Sequence, residues 1–178
     1  MTDRLADVVD GQGSPAAGCD AELARAWQVA AAVPDPEIPV LTIEDLGILR
    51  TVHRHDGQIV VRITPTYTGC PATLAIRLAV EAALLDAGLP SARVETRLSP
   101  PWSTDDITVE GRRKLREFGI APPQHRGCGN ELFAKETVLC PRCNSTQTTR
   151  ISEFGSTACK ALWRCEDCLE PFDYFKCL

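Results

Sequence analysis

Two matched pairs of cysteines near the C-terminus have the spacing of metal ligands. Cys140 and Cys143 form one C-x2-C motif, and Cys165 and Cys168 form another after 21 intervening residues. Two residues between cysteines allow a tight turn that directs both sulfur atoms at one ion, and two such turns complete a tetrahedral four-sulfur site. The pattern predicts a zinc ribbon. About 40 residues cannot bury enough core to fold alone, so metal binding would stabilise this region.

A secreted, disulfide-bonded domain is the main alternative for these cysteines. The chain has nine cysteines, an odd number, and its first 18 residues carry charges but no apolar run. No signal peptide is therefore predicted, and the sequence before Cys19 lacks the hydrophobic stretch of a lipoprotein signal. No segment approaches the roughly 20 apolar residues of a membrane span. We expect a cytoplasmic protein without membrane association, whose paired cysteines hold metal.

Two further cysteines near the ribbon exceed what one zinc ion needs. Cys159 and Cys177 are each next to a lysine, a position that favours the thiolate. They could be spare thiols, a second transfer site, or ligands in an iron–sulfur cluster that would take the place of zinc. Cys128 and His125 are also closely spaced, but they lie in a segment predicted to be a linker.

Cys70 is a candidate functional thiol of a different kind. If Pro71 is the first residue of the predicted helix, Cys70 is its N-cap, and its sulfur lies at the positive end of the helix dipole. That position favours the thiolate, which can act as a nucleophile, a redox switch or a soft metal ligand. The alternative is a small buried side chain, the commonest fate of a free cysteine.

An acidic, proline-rich loop is the other candidate site. The prolines of Pro34–Pro39 stiffen the loop, which would present the carboxylates of Asp35 and Glu37 as hard oxygen ligands. A turn with solvated acids is the alternative. His53 and His55 share one face of a predicted strand, but no third ligand is evident for them.

The elements that must position these residues predict a small α+β domain followed by the ribbon. Apolar periodicity and turn residues define the elements. They are a helix over 20–33, a β-hairpin over 48–66 that turns at Asp56-Gly57, a helix over 71–87, a strand over 93–98 and a helix over 108–118 with a basic face (Arg112, Arg113, Lys114, Arg116). In the helix over 71–87, we expect Leu74, Leu78 and Leu85 to be buried. The predicted divisions are a disordered leader (1–18), the α+β domain (19–121), a linker (122–138) and the ribbon (139–178).

Charge argues against nucleic-acid binding. The net charge is −5, and the predicted ribbon balances its charges. It has five basic residues (Arg142, Arg150, Lys160, Arg164, Lys176) and five acidic ones (Glu153, Glu166, Asp167, Glu170, Asp173). Such a surface lacks the basic stripe that phosphates attract. The sequence also lacks a nucleophile elbow, a phosphate-binding glycine loop and a zinc-protease motif. A protein partner is the better expectation.

Longer stretches resemble known families. Four segments resemble the SufT-like domain of iron–sulfur assembly factors. They are Asp35-Pro-Glu-Ile-Pro39, Ile63-Thr-Pro-Thr-Tyr-Thr-Gly-Cys-Pro71, Pro100-Pro101-Trp102 and the run from Gly111 to Pro123. The tail, with Cys140-Pro-Arg-Cys143-Asn144 and the run from Ile151 to Cys177, resembles the zinc-binding C-terminus of the PaaD family of phenylacetyl-CoA epoxidase subunits. The resemblance covers about residues 20 to 178.

The resemblance implies a non-catalytic accessory subunit. The family is needed for a multicomponent oxygenase that converts phenylacetyl-CoA to its ring-1,2-epoxide, and its partners are the oxygenase and reductase subunits. The implied role is to insert or maintain their di-iron or iron–sulfur centres. Carried over to this chain, Cys70 would hold iron or a cluster transiently, with Asp35 and Glu37 as further candidates. The ribbon, with its zinc, would be a docking module.

Two alternative functions stay open. The chain could be a structural adaptor that joins oxygenase and reductase without transferring metal. It could be a thiol-based redox enzyme that uses Cys70, Cys159 or Cys177, although no general base is evident near them. An open sheet edge at the hairpin would also allow a homodimer.

Overall fold

The computed structural model describes residues 21–123 and 137–177, together with the backbone of residues 8–10. The chain divides into two units, Met1–Trp102 and Ser103–Leu178. Each unit has its own four-stranded sheet with helices, which confirms the predicted α+β class. No helix within the described ranges is long and apolar enough to cross a membrane.

A mixed sheet forms the centre of the first unit. Its elements in chain order are β1 (Val8–Asp10), α1 (Ala21–Ala31), β2 (Leu49–His55), β3 (Gln58–Ile63), α2 (Ala72–Asp86) and β4 (Arg93–Thr96). The strand order is β1-β2-β3-β4. Strands β2 and β3 form the predicted hairpin, and Asp56 and Gly57 at its turn both have positive φ, as a type I′ turn requires. Helix α2 connects β3 to β4, which pair in parallel.

Both strands of the hairpin are internal in this sheet. Strand β1 pairs with the outer side of β2, and β4 pairs with the outer side of β3. The open hairpin edge expected from the sequence is therefore absent among the described strands, because a segment of the predicted leader covers it. The rest of residues 1–18 lies outside the described residues.

Helix α2 packs on the sheet with a different face from the one predicted. Its buried residues beyond the first turn are Ile76, Val80 and Leu84. The predicted stripe was wrong: Leu74 is 58% exposed, Leu78 51% and Leu85 61%. The helix is apolar on nearly every side, so two competing stripes exist in the sequence, and contacts with the sheet decide between them.

A three-stranded antiparallel ribbon with a short fourth strand forms the second unit. Its elements are a 3-10 helix (Thr104–Asp106), α3 (Val109–Glu117), β5 (Ile120–Ala121), β6 (Thr148–Ser152), β7 (Lys160–Cys165) and β8 (Pro171–Phe175). The strand order is β5-β8-β7-β6. Since β5 pairs with β8 of the ribbon and α3 packs on β5, α3 belongs to this unit. The division at residue 102 thus lies earlier than the predicted boundary after residue 121, and the predicted linker lies largely outside the described residues.

Helix α3 is less basic on its surface than its sequence suggests. The side chain of Thr108 caps it by accepting a hydrogen bond from the backbone N–H of Gly111 at 2.9 Å. Arg112, expected on the basic face, is buried and donates to the carbonyl oxygens of Thr104 and Pro123. Its guanidinium therefore connects the residues before α3 with those after β5, and it is not available to an anionic partner.

Candidate functional sites

Four thiols of the ribbon converge at one point. The Sγ atoms of Cys140 and Cys168 are 3.7 Å apart, and those of Cys143 and Cys165 are 3.5 Å apart. All four sulfur atoms lie within 4.8 Å of one another. A tetrahedral zinc ion with Zn–S bonds of about 2.3 Å places its sulfur ligands about 3.8 Å apart. The geometry therefore fits a four-sulfur zinc site, and the zinc ribbon expected from the spacing is confirmed as a group of four cysteines.

The two turns that carry the thiols both end in a residue with positive φ. The residue after each C-x2-C motif is in the left-handed region, Asn144 with φ 63° and Leu169 with φ 62°. In the first turn, the backbone N–H of Asn144 donates to the carbonyl oxygen of Cys140 at 3.0 Å. This reversal brings both sulfur atoms of a pair to the same side. The repeated sequence motif is thus a repeated backbone turn.

The metal ligands are also part of the ribbon core. Cys140 and Cys165 are 0% exposed and belong to one apolar cluster with Val138, Trp163 and Tyr174. The rings of Trp163 and Tyr174 pack edge to face, with centroids 6.0 Å apart. Because this core is small and built around the thiols, loss of the metal would remove support from most of it.

Close packing of four thiols strongly separates their proton affinities. Backbone N–H groups, that of Cys168 foremost, lower the pKa of Cys165 to about 7. Cys143 receives a hydrogen bond from the backbone N–H of Ser145, which lowers its pKa, but the neighbouring thiols outweigh that effect and raise it to about 12. One thiolate thus forms readily while the next is disfavoured, and a divalent cation would offset their repulsion.

The two additional cysteines of the ribbon lie apart from this group. Cys159 is a buried thiol, with its Sγ 3.0 Å from the hydroxyl oxygen of Thr157. Cys177 is disulfide-bonded, so it is not a free thiol available for transfer. The lysines beside them have other partners: Lys160 is 3.6 Å from Asp173, and the Lys176 ammonium lies 4.6 Å from the centroid of the Phe154 ring. Cys128 and His125 lie outside the described residues.

Cys70 lies in the loop before α2, beside a surface groove. Gly69, with φ 86°, turns the chain into Cys70 in a conformation that only glycine adopts easily. The helix itself begins at Ala72, so Pro71 and not Cys70 occupies the N-cap. Pro71 already has helical dihedrals, φ −64° and ψ −26°, and the carbonyl oxygen of Cys70 accepts from the backbone N–H of Thr73 at 3.2 Å. The predicted start was one residue early.

The groove gives Cys70 access to solvent and a cationic neighbour. Cys70 is a free, half-buried thiol. The groove has a volume of about 620 Å³ and is lined by Cys70, Pro71, Thr73, Leu74, Arg77, Val94 and Thr96. The sequence did not single out Arg77 as a site residue. Its position four residues after Thr73, on the same face of the helix, could have indicated that it lies near Cys70. A guanidinium in the same groove favours anionic species there.

Asp35 supports the proline-rich loop from inside. It is buried, and its Oδ1 accepts hydrogen bonds from the backbone N–H groups of Glu37 at 2.9 Å and Ile38 at 2.8 Å. Its carboxylate therefore organises the turn, an arrangement that neither the metal-ligand expectation nor the solvated-acid alternative described. The side chain of Glu37 is half-buried.

The remaining predicted ligands do not assemble into a second metal group. Within residues 21–123 and 137–177, the four ribbon cysteines are the one group of three or more potential ligand side chains close enough to share an ion. Cys70, Asp35 and Glu37 do not form such a group there, and neither do His53 and His55. Burial, then the charge of Arg62, lowers the pKa of His53, so its ring is neutral at pH 7.

Comparisons with known proteins match the two parts of the chain to two different families. Residues 25–96 match the iron–sulfur cluster assembly protein family, and residues 125–176 match the PaaD zinc beta ribbon domain. A protein of Escherichia coli (strain K12), provisionally named as the D component of 1,2-phenylacetyl-CoA epoxidase, is 51% identical over 152 residues, which cover 85% of this chain and 91% of that protein.

Two solved structures are also similar. A Bacillus anthracis domain of unknown function, DUF59, is 26% identical with a TM-score of 0.49, over 53% of this chain and 92% of that one. A Mycobacterium tuberculosis protein described as associated with Fe–S complex assembly and repair is 33% identical with a TM-score of 0.32, over 60% of this chain and 96% of that one.

Proposed function

Since the chain belongs to the PaaD family of 1,2-phenylacetyl-CoA epoxidase subunits, we propose that it is a non-catalytic accessory protein that helps to load or maintain the metal centres of that oxygenase system. Cys70 is the residue that receives and releases iron or a cluster, which is cargo and not a resident cofactor. The ribbon holds zinc through Cys140, Cys143, Cys165 and Cys168 and serves as the docking module.

The observation that carries this proposal is the position of Cys70. Its thiol opens onto a groove that also contains Arg77, and it lies in the domain that matches the iron–sulfur assembly family. A thiolate is a soft ligand suited to iron. One thiolate binds metal weakly compared with a closed four-sulfur site, and weak binding allows the cargo to move on to a client.

The ribbon supports docking through its surface. Zinc in a closed four-cysteine site has no open position for substrate, so it supplies structure and not chemistry. Several apolar side chains of this unit are exposed, namely Leu139, Ile151, Phe154 and Leu169. The charges around them are balanced, so this surface is better suited to binding a protein partner than to binding a nucleic acid.

The test is maturation of the epoxidase in cells that produce this chain as wild type, as Cys70→Ser or not at all. We expect Cys70→Ser to leave the chain folded and zinc-bound, but to lower the iron content of the purified oxygenase or reductase at least several-fold. Cys159→Ser is the matched control and should retain full maturation. If Cys70→Ser supports full iron content and activity, the structural adaptor is the better description.

A further inference from the structure

The outer face of α2 is an apolar surface with the composition of a helix–helix interface. Leu74, Leu78 and Leu85 alternate along it with three exposed alanines, Ala75, Ala79 and Ala82. A helix of 15 residues is about 22 Å long. A surface of this kind on a water-exposed helix marks an interaction site.

The large and small side chains of this face are arranged symmetrically about the middle of the helix. Leu74 and Leu85 lie at equal distances from a point between Ala79 and Val80. Leu78 and Ala82 are likewise centred on Val80. These two centres differ by half a residue, about 0.8 Å along the helix axis. A second α2 packed antiparallel across the middle of the helix therefore places each Leu74 beside the other copy's Leu85 and each Leu78 near the small Ala82. Such a surface is complementary to itself, as a two-fold interface requires.

The charges beside the face have a similar, approximate symmetry, with a centre that lies within one residue of the other two. Arg77 and Glu81 lie along one flank of the face, with their midpoint at Ala79, and form an ion pair of 4.0 Å within the helix. In an antiparallel helix pair, equal flanks lie side by side, so Arg77 of one copy is next to Glu81 of the other, twice.

We propose that α2 is the interface of a homodimer, in which two copies of this chain pack their α2 helices antiparallel through Leu74, Leu78 and Leu85. This inference goes beyond the proposed function. Because Leu74 and Arg77 also line the groove beside Cys70, self-association and cargo exchange would compete for part of the same surface. The α2 interface also replaces the hairpin edge as the surface of association, because that edge is already paired with β1. The helix pair alone is a small interface, so we expect dissociation in the micromolar range.

The experiment is sedimentation velocity of the full zinc-loaded chain over a range of concentrations. The wild type should be a reversible dimer, and Leu78→Asp should raise the dissociation constant at least 10-fold. Val109→Asp is the control, because Val109 is an apolar residue of α3, outside α2, and is 82% exposed. Unchanged circular dichroism would show that each variant is folded.

Charge reversal gives a sharper readout. Arg77→Glu and Glu81→Arg should each weaken self-association at least 10-fold, whereas a mixture of the two variants should form a heterodimer, since both cross-helix pairs become attractive. A wild type that stays monomeric, a Leu78→Asp variant that still dimerises, or a mixture that stays monomeric would each overturn the proposal. So would loss of binding to the epoxidase oxygenase in Leu78→Asp with no change in the oligomeric state of the chain.

Discussion

The two units use cysteine in opposite ways. In the ribbon, Cys140 and Cys165 lie in the core, and the fold is built around them. In the first unit, the core is mainly aliphatic, and Cys70 lies beside an open groove. A cysteine that holds a fold together is buried among other thiols, whereas one that exchanges cargo must be accessible and dispensable for folding. Substitution should therefore separate the two roles.

The largest expected effect is loss of the ribbon when one ligand is removed. Cys165→Ser should abolish stoichiometric zinc binding and unfold the ribbon, because structural zinc contributes on the order of 10 kcal/mol to such a fold. Zinc analysis and amide NMR spectra would show this, and the signals of the first unit should persist. Cys159→Ser, another buried thiol outside the group, should keep the zinc. If Cys165→Ser kept its zinc and its ribbon signals, the structural role assigned to this cysteine would be contradicted.

Acidification should weaken metal uptake by the same unit. The pKa of Cys165 is lowered to about 7, so its thiolate is present above that pH and is protonated as the pH falls through it. Zinc uptake by the metal-free chain should therefore slow as the pH is lowered below about 7. A colorimetric zinc-uptake assay across pH 5.5 to 8, roughly the range over which this thiol titrates, would measure it. A rate independent of pH would contradict the assignment.

The stability of the first unit should instead depend on its buried hydrogen bonds. The indole N–H of Trp102 donates to the carbonyl oxygen of Leu46 at 2.7 Å in a buried position. Trp102→Phe leaves that carbonyl without its partner and should destabilise the unit by about 1–3 kcal/mol in urea unfolding, with zinc content unchanged. Trp27→Phe is the control: its N–H contacts the exposed Glu44 at 3.2 Å, so its loss should cost less than about 1 kcal/mol. Equal effects would contradict this account.

A close approach in the ribbon offers a smaller test. A Cβ atom on Gly155 would lie 2.6 Å from Oδ1 of Asp173, and that carboxylate is held by the Ser156 hydroxyl at 3.0 Å and by Lys160. Gly155→Ala should destabilise the ribbon by about 1–2 kcal/mol. Ser156→Ala removes one exposed hydrogen bond and should cost less. Thermal unfolding of the zinc-loaded variants would rank them, and the reverse order would show that the carboxylate moves freely.

The smallest predicted effect is a gain in stability. Leu169 has φ 62°, which is unfavourable for a side chain with a Cβ atom and costs about 1 kcal/mol. Leu169→Gly should relieve this strain and raise the midpoint of thermal unfolding by a few degrees. Leu169→Ala retains the Cβ atom and should not. A gain in both variants would instead point to the exposed leucine side chain.

The sequence predicted the elements well because their patterns are local. The Asp56-Gly57 turn, the doubled C-x2-C motif and the helix start near Pro71 each depend on a few neighbouring residues. The zinc group followed from spacing alone, since two short turns can only bring four thiols together in a limited number of ways.

Features that depend on packing between distant segments were not predictable. The sequence of α2 is apolar on both sides, so only contact with the sheet shows that Ile76 is buried and Leu78 exposed. Arg112 is of a residue type that is usually exposed. It is nevertheless buried, and its guanidinium donates to the carbonyl oxygens of Thr104 and Pro123, which lie outside its own helix. The carboxylate of Asp35 points inward for a different, local reason, since its partners are the backbone N–H groups of Glu37 and Ile38 in its own loop.

Metal analysis of the isolated protein tests the central claim most directly. Wild type and Cys70→Ser would be purified without oxygen, exposed to ferrous iron and sulfide, and measured by elemental spectrometry and visible absorption. We predict one zinc ion per chain in both proteins, with additional substoichiometric iron in the wild type alone. Equal iron in both proteins, or iron that is lost only when a ribbon cysteine is replaced, would contradict the assignment of the transfer role to Cys70.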